Sequence, residues 1–385
     1  MRPRLLEAAQ AVLRSPTFRD VVLPYALERT ALMLAVCFAN QFIPPGVSWH
    51  ALPRAALFDP WLKWDSEHYL FVASVGYGRS VWGTPNAFFP LYPWLVRGLA
   101  HVVSYAAAAL VVAHVASLVA FVLLYEFVRR VDGVERARRA VWIALVFPTS
   151  FFLIAGYAES LYLALTLGAT LAWLSRKQWV AFGCVVAACL TRPPGVFAMS
   201  LPFVADWLVR GRKRDEVPWF VVGSVLGALA LFAVYQVSTG DPLAFAHSPT
   251  VLSMSGVGGI AAAHGHSPAP FWAVLLDEGM GPNLVRRELN WLALGLTAWA
   301  CAVLLRKREV AFAGITLLSV LVPLVAHGTL LDAASMARYT MVAFPIYLAL
   351  ARALPTGPGA QALDAAFLLM QAVLASLFGA GAWVE

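Results

Sequence analysis

Trp64-Asp65-Ser66-Glu67-His68-Tyr69-Leu70-Phe71-Val72-Ala73, followed by Ala87-Phe88-Phe89-Pro90-Leu91-Tyr92-Pro93, stands out in a chain that is otherwise strongly apolar. Two carboxylates and an imidazole within four residues serve no packing purpose in such surroundings, so the stretch marks a site of chemistry. The surroundings fix the class. Over 385 residues the chain is 61% hydrophobic and 13% charged, with mean hydropathy +0.73, whereas roughly a quarter of a soluble domain is charged. This is the composition of an all-α, polytopic membrane protein. The net charge of +7 comes from short basic clusters between apolar runs, the pattern of cytoplasmic loops and not of a nucleic-acid surface. Cys37, Cys184, Cys189 and Cys301 lie inside apolar segments without metal-ligand spacing and read as small buried hydrophobes.

Apolar runs bounded by charges or Pro/Gly breaks predict about eleven spans: 21–44, 106–128, 140–155, 158–175, 179–191, 195–209, 217–236, 289–305, 309–328, 338–352 and 361–383. Several are too short to cross hydrocarbon alone, which is tolerated where they lie against other helices and line a cavity. Glu28-Arg29 interrupts the first run, so that run reads as an anchored span and not a cleaved signal. With the amino terminus inside, the clusters at Arg129-Arg130 to Arg138-Arg139, Arg176-Lys177, Arg210 to Arg214 and Arg306-Lys307-Arg308 all fall on the cytoplasmic side. Segments 45–105, 156–158, 191–194, 237–288 and 328–337 then share the opposite side. No linker or repeat divides the chain, so one membrane domain, 1–385, is expected, with 45–105 and 237–288 as its long extracytoplasmic loops.

If 64–75 is a helix, Asp65, His68 and Tyr69 share a face and Glu67 turns partly away. Held among Trp61, Trp64 and Tyr69, the Asp65 carboxylate would have a raised proton affinity and suit a general base; a helix cap is the plainer alternative. The aromatic, proline-bearing stretch at 87–93 either turns the chain at the interface or walls the site. Three other outer motifs bring polar groups to the same side. Ala155-Gly156-Tyr157-Ala158-Glu159-Ser160 places Glu159 at a helix start, where its charge suits the dipole. Thr191-Arg192-Pro193-Pro194-Gly195 puts an arginine at a break between short spans, suited to a phosphate or to snorkelling. In Ala337-Arg338-Tyr339, Arg338 lies against the topological charge trend, where it binds an anion or pairs with Asp332. His264-Gly265-His266 lacks the acidic or thiol partners of a metal site, and no Gly-rich phosphate loop is present.

Together these motifs resemble the phosphatidylinositol-glycan class V (PIG-V) mannosyltransferases of the GT-C superfamily. The 64–73 stretch, Gly76-Tyr77 and Ala87-Phe88-Phe89-Pro90 are similar to the first luminal loop of that family. Phe147-Pro148-Thr149-Ser150 with Ala155 to Leu161 is similar to its second motif, with Phe147 in place of the usual Asn. Arg192 and Gly195 match an Arg-Ser-Asn-Gly turn whose middle pair differs here, and Ala337-Arg338-Tyr339 matches a late Pro-Arg-Tyr/Phe element.

The resemblance implies a GT-C-type fold and an inverting transfer of mannose, or another hexose, from a polyprenyl-phosphate donor to a lipid-linked glycan or other acceptor. It implies Asp65 as base, Arg192 and Arg338 on the donor phosphate, and Glu67, His68, Tyr157 and Glu159 as substrate-positioning groups. No cofactor is implied, and no metal is required if the arginines neutralise the phosphate. Short Arg/Ala-rich loops suggest a prokaryotic plasma membrane, with membrane lipids and no nucleic acid as partners. The rival readings are a transporter or lipid scramblase, which predicts polar groups at mid-membrane and symmetry between halves, and a non-catalytic homologue within an assembly.

Overall fold

The computed structural model describes residues 13–42, 58–78, 85–210, 217–247, 282–326, 335–354, 356–382 and 384. All regular structure among them is helical. The helices are α1 (Leu23–Ala39, entered through a π turn at Phe18–Val22), α2 (Asp65–Ser74), α3 (Leu91–Leu99), α4 (Tyr105–Asp132) and α5 (Val134–Val146). They continue with α6 (Glu159–Leu174), α7 (Gln178–Cys189), α8 (Pro194–Ala198), α9 (Leu201–Arg210) and α10 (Val217–Thr239). The last five are α11 (Pro282–Arg306), α12 (Val310–Ala326), α13 (Met336–Val342), α14 (Pro345–Ala353) and α15 (Pro358–Gly379).

Among the described residues, five stretches are long and apolar enough to cross a membrane: Phe18–Ala39, Tyr105–Asp132, Pro218–Thr239, Glu288–Arg306 and Pro358–Gly379. Glu159–Leu174, Gln178–Cys189, Pro194–Val209 and Val310–Val325 are apolar but shorter. The protein is thus a multi-pass membrane protein, all-helical over its described residues. Three expected spans differ in outline, among them 195–209, which is divided at Met199-Ser200 into α8 and α9. The run expected at 140–155 is helical from Val134 to Val146 and then breaks at Phe147-Pro148, because proline offers no N–H to continue the ladder. The run expected at 338–352 is split at Ala343, ahead of Pro345. The aromatic stretch enters α3 at Leu91, with Pro93 in the first turn where its missing N–H costs nothing.

Among the described residues, the basic segment Arg129 to Arg139 meets acidic and polar partners from several helices at one end of the bundle. There Arg138 pairs with Asp20 at 2.8 Å, Arg139 with Asp364 at 2.5 Å, and Arg352 with both Asp132 at 2.5 Å and Glu309 at 2.7 Å. Arg130 donates to the Ser175 hydroxyl at 2.5 Å. The 28-residue α4 runs from this ion-pair end to the other, about 40 Å at 1.5 Å per residue. The motifs with unexplained carboxylates and arginines lie at that other end.

One polar cluster sits between the ends. Where α5 breaks, the Leu145 carbonyl has lost its helical partner, and the Ser150 hydroxyl (2.7 Å) and the Gln371 amide (2.9 Å) donate to it. Ser150 Oγ in turn accepts from Arg29 (3.2 Å) and Gln371 (2.6 Å), using both its acceptor sites. Arg29 also pairs with Glu28 at 3.2 Å. The charged pair that interrupts the first apolar run therefore anchors the broken end of α5.

Candidate active site

The short turn Asp59–Trp61 leads into Trp64, whose φ of 55° and ψ of −118° are an uncommon conformation for a bulky residue. That sharp reversal opens α2 at Asp65. The expected helix over 64–75 is observed as Asp65–Ser74, with Asp65 as its first residue and no side-chain cap bond at its start. The carboxylate is used elsewhere: Arg338 Nη1 donates to Asp65 Oδ2 at 2.7 Å, across 273 residues of sequence.

Glu159 is brought in by close backbone approach. The Gly156 amide donates to the Trp61 carbonyl at 2.9 Å, and a Cβ on Gly156 would lie 2.6 Å from Leu62 Cδ2 and 3.1 Å from Ser66 Oγ. Glycine lets this turn press against the start of α2 without displacing the Leu62 and Ser66 side chains. Tyr157 then donates from its hydroxyl to the Lys63 carbonyl at 3.2 Å, and Glu159 becomes the first residue of α6. Arg192 is placed by a second tight approach, where a Cβ on Gly195 would lie 2.3 Å from the Ala188 carbonyl oxygen. That accounts physically for the Arg-x-x-Gly spacing.

Arg338 is clamped through its neighbour. Ala337 donates its amide to Asn290 Oδ1 at 2.9 Å and accepts at its carbonyl from Thr149 Oγ1 at 3.0 Å. Ser335, in the left-handed region at φ 62°, turns the chain into α13.

These segments bring four charges together. Glu159 Oε1 pairs with Arg192 Nη1 and lies 3.3 Å from Arg338 Nε, while Arg338 also holds Asp65. Glu159 is 1% exposed, Arg338 6% and Arg192 7%, whereas Asp65 is 30% exposed and forms the open side of the group. Tyr339 lies between the guanidinium groups, 4.8 Å from Arg192 and 5.3 Å from Arg338, and Tyr157 faces Arg338 at 5.3 Å. Such cation–ring contacts hold an arginine without consuming its charge. Glu159 Oε2 is buried with no hydrogen-bond partner among the described residues, which leaves an acceptor facing the group.

The proton affinity of Asp65 differs from the expectation. Burial pushes the carboxyl up, as its aromatic surroundings suggest. The Arg338 charge and hydrogen bond, with His68 and Arg192, outweigh that and leave it below its ordinary value.

His68 stacks on Phe88, ring centroids 4.8 Å apart and 18° from parallel, and Tyr69 meets the same ring edge-on at 4.9 Å. The 87–93 stretch therefore walls the site beside His68. Tyr77 fixes it by donating to the Phe88 carbonyl at 2.6 Å. Glu67 is buried and lies about 200° around α2 from Asp65 at 100° per residue, as the helical spacing implies. Asp332, weighed as the partner of Arg338, and the His264-Gly265-His266 pair lie outside the described residues, as does nearly all of 237–288 beyond His247.

Sequence reasoning missed Thr149, Asn290 and the ring of Tyr339 as supports of Arg338. Asn290 had a legible signal, being an amide within the apolar run expected at 289–305. Thr149 lay within a quoted motif, but its contact with Ala337 crosses 188 residues.

Residues 36–201 match the family described as Mannosyltransferase (PIG-V). The match takes in Asp65, Glu67, His68, Tyr157, Glu159 and Arg192 and stops short of Arg338. The mouse protein GPI alpha-1,6-mannosyltransferase 2 is 33% identical over 198 residues, 45% of this chain and 39% of the relative. Its Cricetulus griseus counterpart is 33% identical over 139 residues, 32% of this chain and 27% of the relative. The chain thus spans well under half the length of the curated relatives it matches. Among solved structures, the apo oligosaccharyltransferase of Archaeoglobus fulgidus aligns over 92% of this chain and 56% of its own, with 14% identity and a TM-score of 0.47. The segment 36–201, which carries both carboxylates of the charged group and one of its arginines, is thus similar to the mannosyltransferase (PIG-V) family.

Proposed function

We propose that this protein is an inverting, GT-C-type glycosyltransferase that moves mannose from a polyprenyl-phosphate donor to a hydroxyl of a lipid-linked glycan or related acceptor. The reaction takes place on the non-cytoplasmic face of a prokaryotic plasma membrane, with the amino terminus inside and about eleven membrane crossings or partial crossings. The observation that carries the reading is the convergence of Asp65, Glu159, Arg192 and Arg338 from four separate segments at the end opposite the basic loops.

In the transfer, the acceptor oxygen forms a bond to the anomeric carbon as the bond from that carbon to the phosphate oxygen breaks. The acceptor proton goes to Asp65, and the electron pair leaves with the polyprenyl phosphate. General-base help of this kind contributes about 10²–10⁴-fold. The departing phosphate gains a negative charge, and Arg192 and Arg338 meet it in a site largely closed to water. A phosphate that draws Arg338 from Asp65 also removes the charge that depresses its proton affinity, so donor binding strengthens the base. The unpartnered Glu159 Oε2 accepts from a sugar hydroxyl, while His68 and Tyr157 position the substrates, with Glu67 supporting α2 from behind.

We take the reaction to need no metal, since two guanidinium groups supply the positive charge at the phosphate; treatment with a chelator leaves activity unchanged. The direct test is transfer from radiolabelled polyprenyl-phosphate mannose to a lipid extract by purified protein in vesicles. Asp65→Asn should lower turnover by about 10²–10⁴-fold with unchanged expression. Full activity in that variant removes Asp65 as the base, and a labelled donor that crosses the bilayer without transfer indicates a transporter.

A further inference from the structure

Trp64 holds a backbone conformation that its own side chain disfavours. Its φ of 55° and ψ of −118° match the first central position of a type II′ turn, about +60° and −120°, where glycine is the usual residue. The turn is closed, since the Ser66 amide donates to the Lys63 carbonyl at 3.2 Å. A bulky residue stays in such a conformation only where its surroundings fix it. We infer that the capped end of α15 fixes it, and that Trp64 is thereby a positioning residue for Asp65, its neighbour in the same turn.

The end of α15 is itself rigid. The Gly381 amide donates to the Phe378 carbonyl at 2.8 Å and the Ala382 amide to the Leu377 carbonyl at 2.9 Å, the paired bonds of a Schellman motif, with Gly381 in the left-handed region at φ 91°. The cap fixes the Ala382 carbonyl, which accepts from Trp64 Nε1 at 3.2 Å across 318 residues of sequence. The same helix end is seated on the approach to the turn: a Cβ on Gly379 would lie 2.8 Å from Asn40 Nδ2, 2.9 Å from Val36 Cγ1 and 3.1 Å from Pro60 Cβ. Phe378 is buried and meets the Tyr157 ring with centroids 5.9 Å apart, and the Tyr157 hydroxyl donates to the Lys63 carbonyl. The end of α15 therefore holds the turn at two points, the Trp64 indole and, by way of Tyr157, the Lys63 carbonyl. Asp65 follows Trp64 directly and makes no cap bond of its own, so the turn sets its direction towards Arg338. If Trp64 relaxed to an ordinary negative φ, the start of α2 would be re-aimed and the carboxylate carried off the guanidinium.

The inference rests on the transferase reading, and the test separates the two. Trp64→Ala removes the indole and keeps the unfavourable φ, so the turn relaxes. Trp64→Gly also removes the indole, but glycine takes this φ without strain and keeps the turn. With polyprenyl-phosphate mannose, kcat should fall about 10–10²-fold in Trp64→Ala, as for a catalytic group misplaced by about 1 Å, and about threefold or less in Trp64→Gly. Asp65 is faced by Arg338, Arg192, His68 and Tyr69. Once it leaves Arg338 its burial prevails, so the acid limb of kcat/KM should move to higher pH in Trp64→Ala and stay in place in Trp64→Gly. Gly381→Ala puts a side chain at φ 91° and should reproduce both effects from the other end of the hydrogen bond, with the double variant Trp64→Ala, Gly381→Ala no worse than either alone. If Trp64→Ala does not fold, Trp64→Phe takes its place; it keeps a ring and loses the N–H, and should lower kcat about two- to tenfold with the limb shifted the same way. The inference is overturned if Trp64→Gly is impaired as much as Trp64→Ala, which would make the indole mere packing, or if the limb stays in place in every variant. It is also overturned if the variants raise KM with kcat unchanged, which would put the indole on a substrate. If the unaltered protein transfers no mannose, the transferase reading fails and the positioning role falls with it, whereas a fully active Trp64→Ala beside active unaltered protein removes the positioning role alone.

Discussion

Glu159→Gln keeps the length and shape of the side chain and removes the one negative charge shared by two buried arginines. Arg338 keeps Asp65, but Arg192 is left facing a neutral amide oxygen. Breaking a buried pair by removing one partner costs about 3–5 kcal/mol. The Gln oxygen still accepts hydrogen bonds, and neutral ones have about half the strength of charge-assisted ones. A net loss of about 2–4 kcal/mol follows, which lowers the melting temperature by about 2–5 °C for a chain of this size. Affinity for the sugar-free polyprenyl phosphate should change in the opposite direction. Glu159 repels an anion at the arginines by about 3 kcal/mol at 6 Å and an effective dielectric of 20. Allowing half of that for rearrangement, the variant should bind polyprenyl phosphate about tenfold tighter while transferring sugar more slowly, because Oε2 no longer accepts as a carboxylate. Thermal unfolding in detergent and calorimetric titration with polyprenyl phosphate read the two effects. A variant that melts with the unaltered protein and binds the phosphate no more tightly would refute the view of Glu159 as the shared counter-ion.

Arg338→Gln tests the electrostatics of Asp65. The depressed Asp65 is ionised at neutral pH, and the stability it contributes with Arg338 is lost only as pH falls through its lowered value. Without Arg338 the burial effect prevails, so the acid limb of kcat/KM should move to higher pH; an unmoved limb counts against Asp65 as the titrating group. Gly156→Val forces a Cβ to within 2.6 Å of Leu62 and should cost about 1–3 kcal/mol. It should lower kcat by displacing Glu159, and unchanged kinetics would show the close approach to be dispensable. Ser150→Ala leaves Arg29, Gln371 and the Leu145 carbonyl without their shared hydroxyl. A loss of about 1–3 kcal/mol in thermal unfolding is expected, and no loss would mean that the broken helix end is satisfied otherwise.

Much of the local structure was legible because it depends on neighbours in sequence. The 64–75 helix, the shared face of Asp65 and His68 and the turn of Glu67 away from it follow from helical spacing alone. The basic clusters fell on one side by the charge bias of loops, and the ion pairs of Asp20, Asp132, Glu309 and Asp364 with arginines from different segments join them at one end. Helix breaks at Phe147-Pro148 and Ala343 were less legible, because a run of apolar residues looks the same whether it is continuous or cut.

By itself, then, the sequence determined the class of the protein, the motif that begins at Trp64 and the residue types available for chemistry, all properties of composition and short-range period. Tertiary structure alone decided which charges meet. Arg338 reaches Asp65 across 273 residues, and no local pattern encodes that distance. The consequence is a change of sign: the aromatic neighbours of Asp65 argue for a raised proton affinity, yet the fold delivers a guanidinium at 2.7 Å that lowers it. Coulomb energy falls with separation in space and not along the chain, so the charge state of Asp65 follows from the folded assembly of the four segments.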